Sequence, residues 1–137
     1  MSRKSIALTI NCEKPFIRHI DDEHISQNNT LFNAISNTYL PLLNMFADLE
    51  AEGIPFKVNL ILSPTLCEML ADPVIQQQYI DWLDKLISLG NAEVQKHSDN
   101  QAKKEVAEEI LNKVIQNKRD FQEVLNQDIL SKFFSFC

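Results

Sequence analysis

Residues 38–73 read TYLPLLNMFADLEAEGIPFKVNLILSPTLCEMLADP. In order, they hold a helical run, a glycine stop, an apolar strand and two proline-marked helix starts. Leu42, Phe46 and Leu49 recur at helical spacing and supply an apolar face. Gly53 ends that run, because glycine accepts the left-handed conformation that a C-terminal cap needs. Residues 56–62 (FKVNLIL) predict a strand, and Leu60, Ile61 and Leu62 in succession imply burial on both of its faces. Ser63-Pro64 and Asp72-Pro73 each set an N-cap side chain before a proline at the first helical position. This order belongs to alternating β/α architecture, in which sites form at the carboxyl ends of parallel strands.

Working outward, residues 6–10 (IALTI) predict a first strand, apolar at nearly every position. A polar loop from 11 to 29 follows, long enough to suggest a functional connection. Helical periodicity resumes at Leu31 and Ile35. Pro41 inside it predicts a kink or a fresh helix start, since proline lacks the amide donor and clashes with the preceding turn. After Asp72-Pro73, a long helix turns Ile75, Tyr79, Trp82, Leu83, Leu86 and Ile87 toward the core. The Gln76-Gln77-Gln78 run reads as its exposed face. Ser98-Asp99-Asn100 breaks it, and a further helix from about 101 to 124 presents Val106, Ile110, Val114 and Phe121. The fold class is therefore α/β, with two parallel strands and four to five helices in one domain spanning residues 1–137. Two parallel strands alone leave faces and edges uncovered, so the pattern reads as the opening of a larger fold.

Bulk properties narrow the function. Of 137 residues 45% are hydrophobic, enough for a buried core, which argues against a disordered chain. Thirteen basic residues against 19 acidic ones give a net charge of −6, opposing nucleic acid as a partner. No apolar run is long enough to span a bilayer. The basic, apolar start resembles a leader only superficially, because Asn11, Glu13 and Lys14 interrupt it; a cytoplasmic location is the expectation. Cys12, Cys67 and Cys137 are odd in number and scattered, as reduced thiols are. Nothing predicts a cofactor: the chain has only Gly53 and Gly90, too few for a phosphate-binding loop.

The segments TLFNAISNTYLPLLNMF, GIPFKVNLILSPTLCEMLADP and YIDWLDKLISLGNAEV together resemble the amino-terminal part of glycoside hydrolase family 57, especially its branching-enzyme and α-amylase-like members. The resemblance implies the first β/α units of an incomplete seven-stranded TIM-like barrel. It also implies an α-glucan ligand, and a parent activity of branching, transglycosylation or hydrolysis. Such retaining chemistry uses two carboxylates, one as nucleophile and one as acid then base. In the family both belong to later motifs, so no residue here is assigned as catalytic, and Glu13, Asp21 and Glu68 match neither. One family motif does fall inside the chain: a histidine-rich segment after the first strand, ending in proline and an aromatic. Pro15-Phe16 keeps its frame, but the histidine positions hold Asn11 and Glu13. By resemblance these two are the substrate-binding candidates. Asparagine still bonds a sugar hydroxyl, whereas ionised glutamate only accepts. The implied reading is an amino-terminal piece or degenerate relative of an α-glucan enzyme, inactive alone.

Other readings stand beside this one. Asn11, Glu13 and His19 read equally as a solvated strand-end loop. His19, Asp21, Asp22, Glu23 and His24 could ligate a metal, but they lack a second ligand set at structural spacing. Cys12 near Lys14 could be an activated thiol or an inert one. Tyr79 and Trp82 could stack on a sugar, though their spacing with Leu83 and Leu86 marks core residues. In a different class, Phe133, Phe134 and Phe136 in the apolar end ILSKFFSFC predict a non-enzymatic module that meets itself or a partner chain through this tail and its strand edges.

Overall fold

A computed structural model describes residues 7–19 and 25–136 of the chain. Among them, strand β1 (Thr9–Cys12) pairs in parallel with strand β2 (Asn59–Leu62), Thr9 opposite Asn59 and Cys12 opposite Leu62. The crossover between them is helical: a 3₁₀ turn at Ile25–Asn28, α1 (Asn29–Ala34), a π-helical segment Ile35–Tyr39, and α2 (Leu40–Ala51). After β2 come α3 (Pro64–Ala71), α4 (Pro73–Lys96), α5 (Gln101–Arg119), a second π segment Asp120–Val124, and α6 (Ile129–Ser135). The architecture is α/β with two parallel strands, as the sequence predicts. Both strands are shorter than the apolar runs that announce them. Ile6 lies outside the described residues, and Phe56 leaves the strand to pack its ring on Phe46, 5.1 Å between centroids.

The expectation that β2 is buried on both faces fails. Ile61 is 52% exposed and Leu60 and Leu62 are half-buried. The helices cover one face of this two-stranded sheet, so alternate residues meet solvent. On the covered side, Cys12 joins Leu31, Phe32, Leu43, Leu66, Tyr79 and Leu83 in a single core.

The punctuation residues behave as their chemistry requires. Gly53 has φ of 68°. Its N–H donates to the Glu50 carbonyl at 3.1 Å, and the Ile54 N–H reaches the Leu49 carbonyl at 2.9 Å, which closes α2 with a Schellman motif. Ser63 Oγ accepts from the Leu66 N–H at 3.3 Å, and Asp72 Oδ1 from the Val74 N–H at 2.8 Å. Pro41 does not break the helical rod. The Leu40 N–H donates five residues back, to Ile35. That widened turn gives the proline ring room against the carbonyl it would otherwise strike.

Three further expectations are corrected. Val106 and Ile110 are exposed, because α5 buries Leu111 against α4 and meets the core through Val114, leaving its other apolar side chains without a neighbour. Gly90 lets the α4–α5 hairpin close: a Cβ there would lie 2.9 Å from Leu111 Cδ1. Gln76 and Gln78 are not a solvated face. Gln76 Nε2 donates to the carbonyls of Leu70 and Gln127 at 2.8 and 3.0 Å, and only Gln77 is exposed. Finally, the C-terminal phenylalanines are mostly inside. Phe133 is fully buried against Tyr39, and Phe136 packs edge-on to Phe46 at 5.5 Å, leaving Phe134 exposed at 60%.

Candidate functional site

β1 ends at Cys12, and its exit residues run along a cleft of about 590 Å³. One wall is Ile10, Asn11, Cys12, Glu13 and Lys14. The other is Thr30, Asn33, Ala34, Thr38 and Tyr39, from α1 and the π segment. Alternation along the strand sorts these side chains. Ile10 and Cys12 turn to the helices and the core, while Thr9 and Asn11 are exposed on the opposite face. Asn11 and Glu13 are brought together, with Asn11 Nδ2 3.5 Å from Glu13 Oε2. The pair offers an amide and a carboxylate to solvent at a strand's carboxyl end.

The loop that carries Glu13 onward is held at several points. Thr65 Oγ1 donates to the Lys14 carbonyl at 3.2 Å, and the Ile17 N–H points at Met69 Sδ at 3.2 Å. The backbone of His19 is clamped by the fully buried Asn28. The His19 N–H donates to Asn28 Oδ1 at 3.2 Å, and its carbonyl accepts from Asn28 Nδ2 and Gln78 Nε2, each at 2.9 Å. Arg18 pairs with Asp72, and this partner, with the Val74 amide, holds the Asp72 carboxyl below its usual range.

Electrostatics at the cleft floor disfavour an activated thiol. Burial pushes the Cys12 thiol up, not down. Burial likewise pushes the Tyr39 hydroxyl up to about 12, with Cys12 adding to the effect. Both groups are neutral near pH 7 and serve as an apolar floor with polar tips. His19 does not line the cleft. Asp21, Asp22, Glu23 and His24 lie outside the described residues, and among those described no cluster of three ligating side chains forms. Tyr79 and Trp82 are core residues, stacked at 6.0 Å and both packed on Phe32, so neither is a sugar platform.

The sequence reading missed Thr30, Asn33 and Thr38 as the facing wall. Their signal was available: polar residues at 30, 33 and 38 follow the helical spacing of the apolar residues beside them.

Comparison with known proteins places this geometry. No family model matches the chain. A 1,4-α-glucan branching enzyme of Thermococcus kodakarensis is 33% identical over 55 residues, which are 40% of this chain and 8% of that enzyme. The α-amylase AmyC of Thermotoga maritima superposes with a TM-score of 0.84 at 27% identity, over 95% of this chain and 24% of its own. The GH57-type branching enzyme of the archaeon Pyrococcus horikoshii superposes with a TM-score of 0.81 at 20% identity, over 94% and 24%. The chain thus spans about a quarter of the length of these two structures. In fold the chain is similar to this α-amylase and to this GH57-type branching enzyme, and in local sequence to the Thermococcus branching enzyme.

Proposed function

We propose that the chain, as a single domain, is a scaffold portion of an α-glucan-acting enzyme, and that it has no catalytic activity alone. The observation that carries this reading is the cleft at the end of β1. Among the described residues that line it, the only carboxylate is Glu13, whereas retaining glycoside chemistry needs two carboxyl groups about 5–5.5 Å apart. Asn11 and Glu13 then form a rim that binds an α-glucan hydroxyl, the amide donating and the carboxylate accepting. Both similar branching enzymes and the similar α-amylase support glucan as the ligand class. No helix among the described residues is long and apolar enough to cross a membrane, and cytoplasmic placement is part of the proposal.

Titration with maltooligosaccharides tests the rim. Amide shifts are expected at Asn11, Glu13 and Thr38, and flat shifts there would remove the glucan reading. Branching or glucanase activity from the purified chain would overturn the proposed inactivity.

A further inference from the structure

The rim residue Glu13 is held on both sides by one short stretch of chain, the connection from β2 to α3. Before it, the Ser63 N–H donates to the Cys12 carbonyl at 3.3 Å, where the parallel ladder closes. After it, the Thr65 hydroxyl donates to the Lys14 carbonyl at 3.2 Å. A side chain thus supplies the bond that the backbone no longer provides once the ladder has ended. Pro15 adds to the restraint, because a residue before proline is kept extended.

The direction of the hydroxyl bonds follows from their proton count. Thr65 Oγ1 has a single proton, which goes to the Lys14 carbonyl. Ser63 Oγ, 3.2 Å from Thr65 Oγ1, is therefore the donor between them. Ser63 Oγ in turn accepts from the Leu66 N–H at 3.3 Å, as the cap of α3. The result is a one-way chain from the first turn of α3, through two hydroxyls, to the backbone beside Glu13. Each bond in such a chain polarises and strengthens the next.

We propose that Thr65 is a positioning residue for the rim, with Ser63 orienting its hydroxyl, and that together they fix Glu13 beside Asn11 in the arrangement that receives a sugar hydroxyl. The inference rests on the α-glucan reading above. A plain helix cap does not account for the arrangement. Ser63 caps α3 by itself, and Asp72 caps α4 with no second hydroxyl beside it. Thr65 is exposed and stands outside the core, yet its proton is committed to the loop.

Glu13 needs this support because its own side chain is exposed and meets Asn11 Nδ2 only at 3.5 Å. A hydrogen bond that long holds a carboxylate weakly. Fixing the backbone on both sides removes freedom that binding would otherwise have to remove. An incoming hydroxyl then meets an acceptor already in place.

Two variants of the full chain, Thr65→Val and Thr65→Ser, test the proposal. Valine keeps the shape and loses the donor, whereas serine keeps the donor. Both are expected to retain the circular dichroism and urea midpoint of the parent, since Ser63 still caps α3. In Thr65→Val the carbonyl carbon resonance of Lys14 is expected to shift and the amide order parameter of Glu13 to fall. Maltooligosaccharide binding, read from amide shifts, should weaken about three- to tenfold, the worth of one hydrogen bond. Thr65→Ser should restore all three. A Lys14 resonance or a sugar affinity unchanged in Thr65→Val, or losses that serine does not rescue, would overturn the positioning role. So would a lowered urea midpoint in Thr65→Val, because Thr65 would then support the fold and not the rim. Flat sugar shifts in the parent chain would instead sink the glucan reading. The Lys14 resonance and the Glu13 order parameter would then decide by themselves whether Thr65 holds the rim.

Discussion

Ser36 Oγ lies 2.8 Å from Tyr79 Oη inside the core, and this hydrogen bond ties the first π segment to the long helix α4. Both residues are buried, so neither hydroxyl has water as a ready alternative. Removing one leaves the other unsatisfied, at a cost of about 1–3 kcal/mol. Tyr79→Phe and Ser36→Ala should each lower the urea midpoint by a corresponding amount. The double variant should cost less than the sum, because it removes both partners. Additive losses would show that the bond contributes nothing beyond packing.

The chain's two tyrosines, Tyr39 and Tyr79, share one consequence of burial. Each hydroxyl is pushed from 10.0 up to about 12, although Ser36 partly offsets the effect at Tyr79. The unfolded chain releases these protons near pH 10 and the folded one near 12. Their contribution to stability is therefore full below pH 10 and is lost as pH rises through about 12. Spectroscopic alkaline titration should show little tyrosinate until unfolding begins, then a cooperative rise with loss of helical circular dichroism. A smooth single titration near pH 10 in the native chain would contradict the burial of both rings.

At the acid end the sign reverses. Asp72 has a depressed carboxyl pKa, held chiefly by its hydrogen bond to Arg18. Its contribution is present above the ordinary carboxylate value and fades as pH falls through the lowered one. Asp72 also caps α4. Asp72→Ala should cost about 1 kcal/mol through the lost cap, whereas Asp72→Asn keeps a capping oxygen and loses the charge pair. Chemical denaturation at pH 7 and pH 3 separates the two roles: the gap between Asp72→Asn and the parent should shrink at the lower pH.

Phe133 and Phe134 are neighbours with opposite fates. Phe133→Ala should destabilise by about 3–5 kcal/mol, since it empties a site under Tyr39. Phe134→Ser should stay within about 0.5 kcal/mol, as surface changes do. Thermal unfolding of the two variants checks the difference. A test of tail-mediated association must therefore use Phe134 alone, because changing Phe133 would confuse unfolding with dissociation.

What could be read in advance follows from which signals are local. Gly53, Ser63-Pro64 and Asp72-Pro73 act through their own backbone, so caps and element order were legible. Ile61 and Val106 were misread because their burial depends on a neighbour lying against them, and hydrophobicity cannot report whether one does. Gln78, read as solvated, and Asn28, not singled out at all, fail for the complementary reason. A buried amide looks polar in sequence, and its partner is the carbonyl of His19, 59 residues away from Gln78. At the cleft, Asn11 and Glu13 stand out in the sequence because they depart from a motif, and both line it. Thr30, Asn33 and Thr38 carry no motif, only spacing.

The π segment Ile35–Tyr39 has a genetic consequence. A π turn holds one residue more than the α turn it replaces. Deleting a single residue there should leave a regular helix, yet each residue of an α-helix turns about 100° around its axis. The shortened rod would swing either Tyr39 off Cys12 or Phe32 off Tyr79, and it would drive the Pro41 ring into the preceding turn. A one-residue deletion that is harmless in most surface loops should therefore be among the most damaging available to this chain, whereas of the five residues in that segment Asn37 and Thr38, the two that are exposed, could change identity at little cost to stability. Reading length, more than residue identity, is what this stretch of helix constrains.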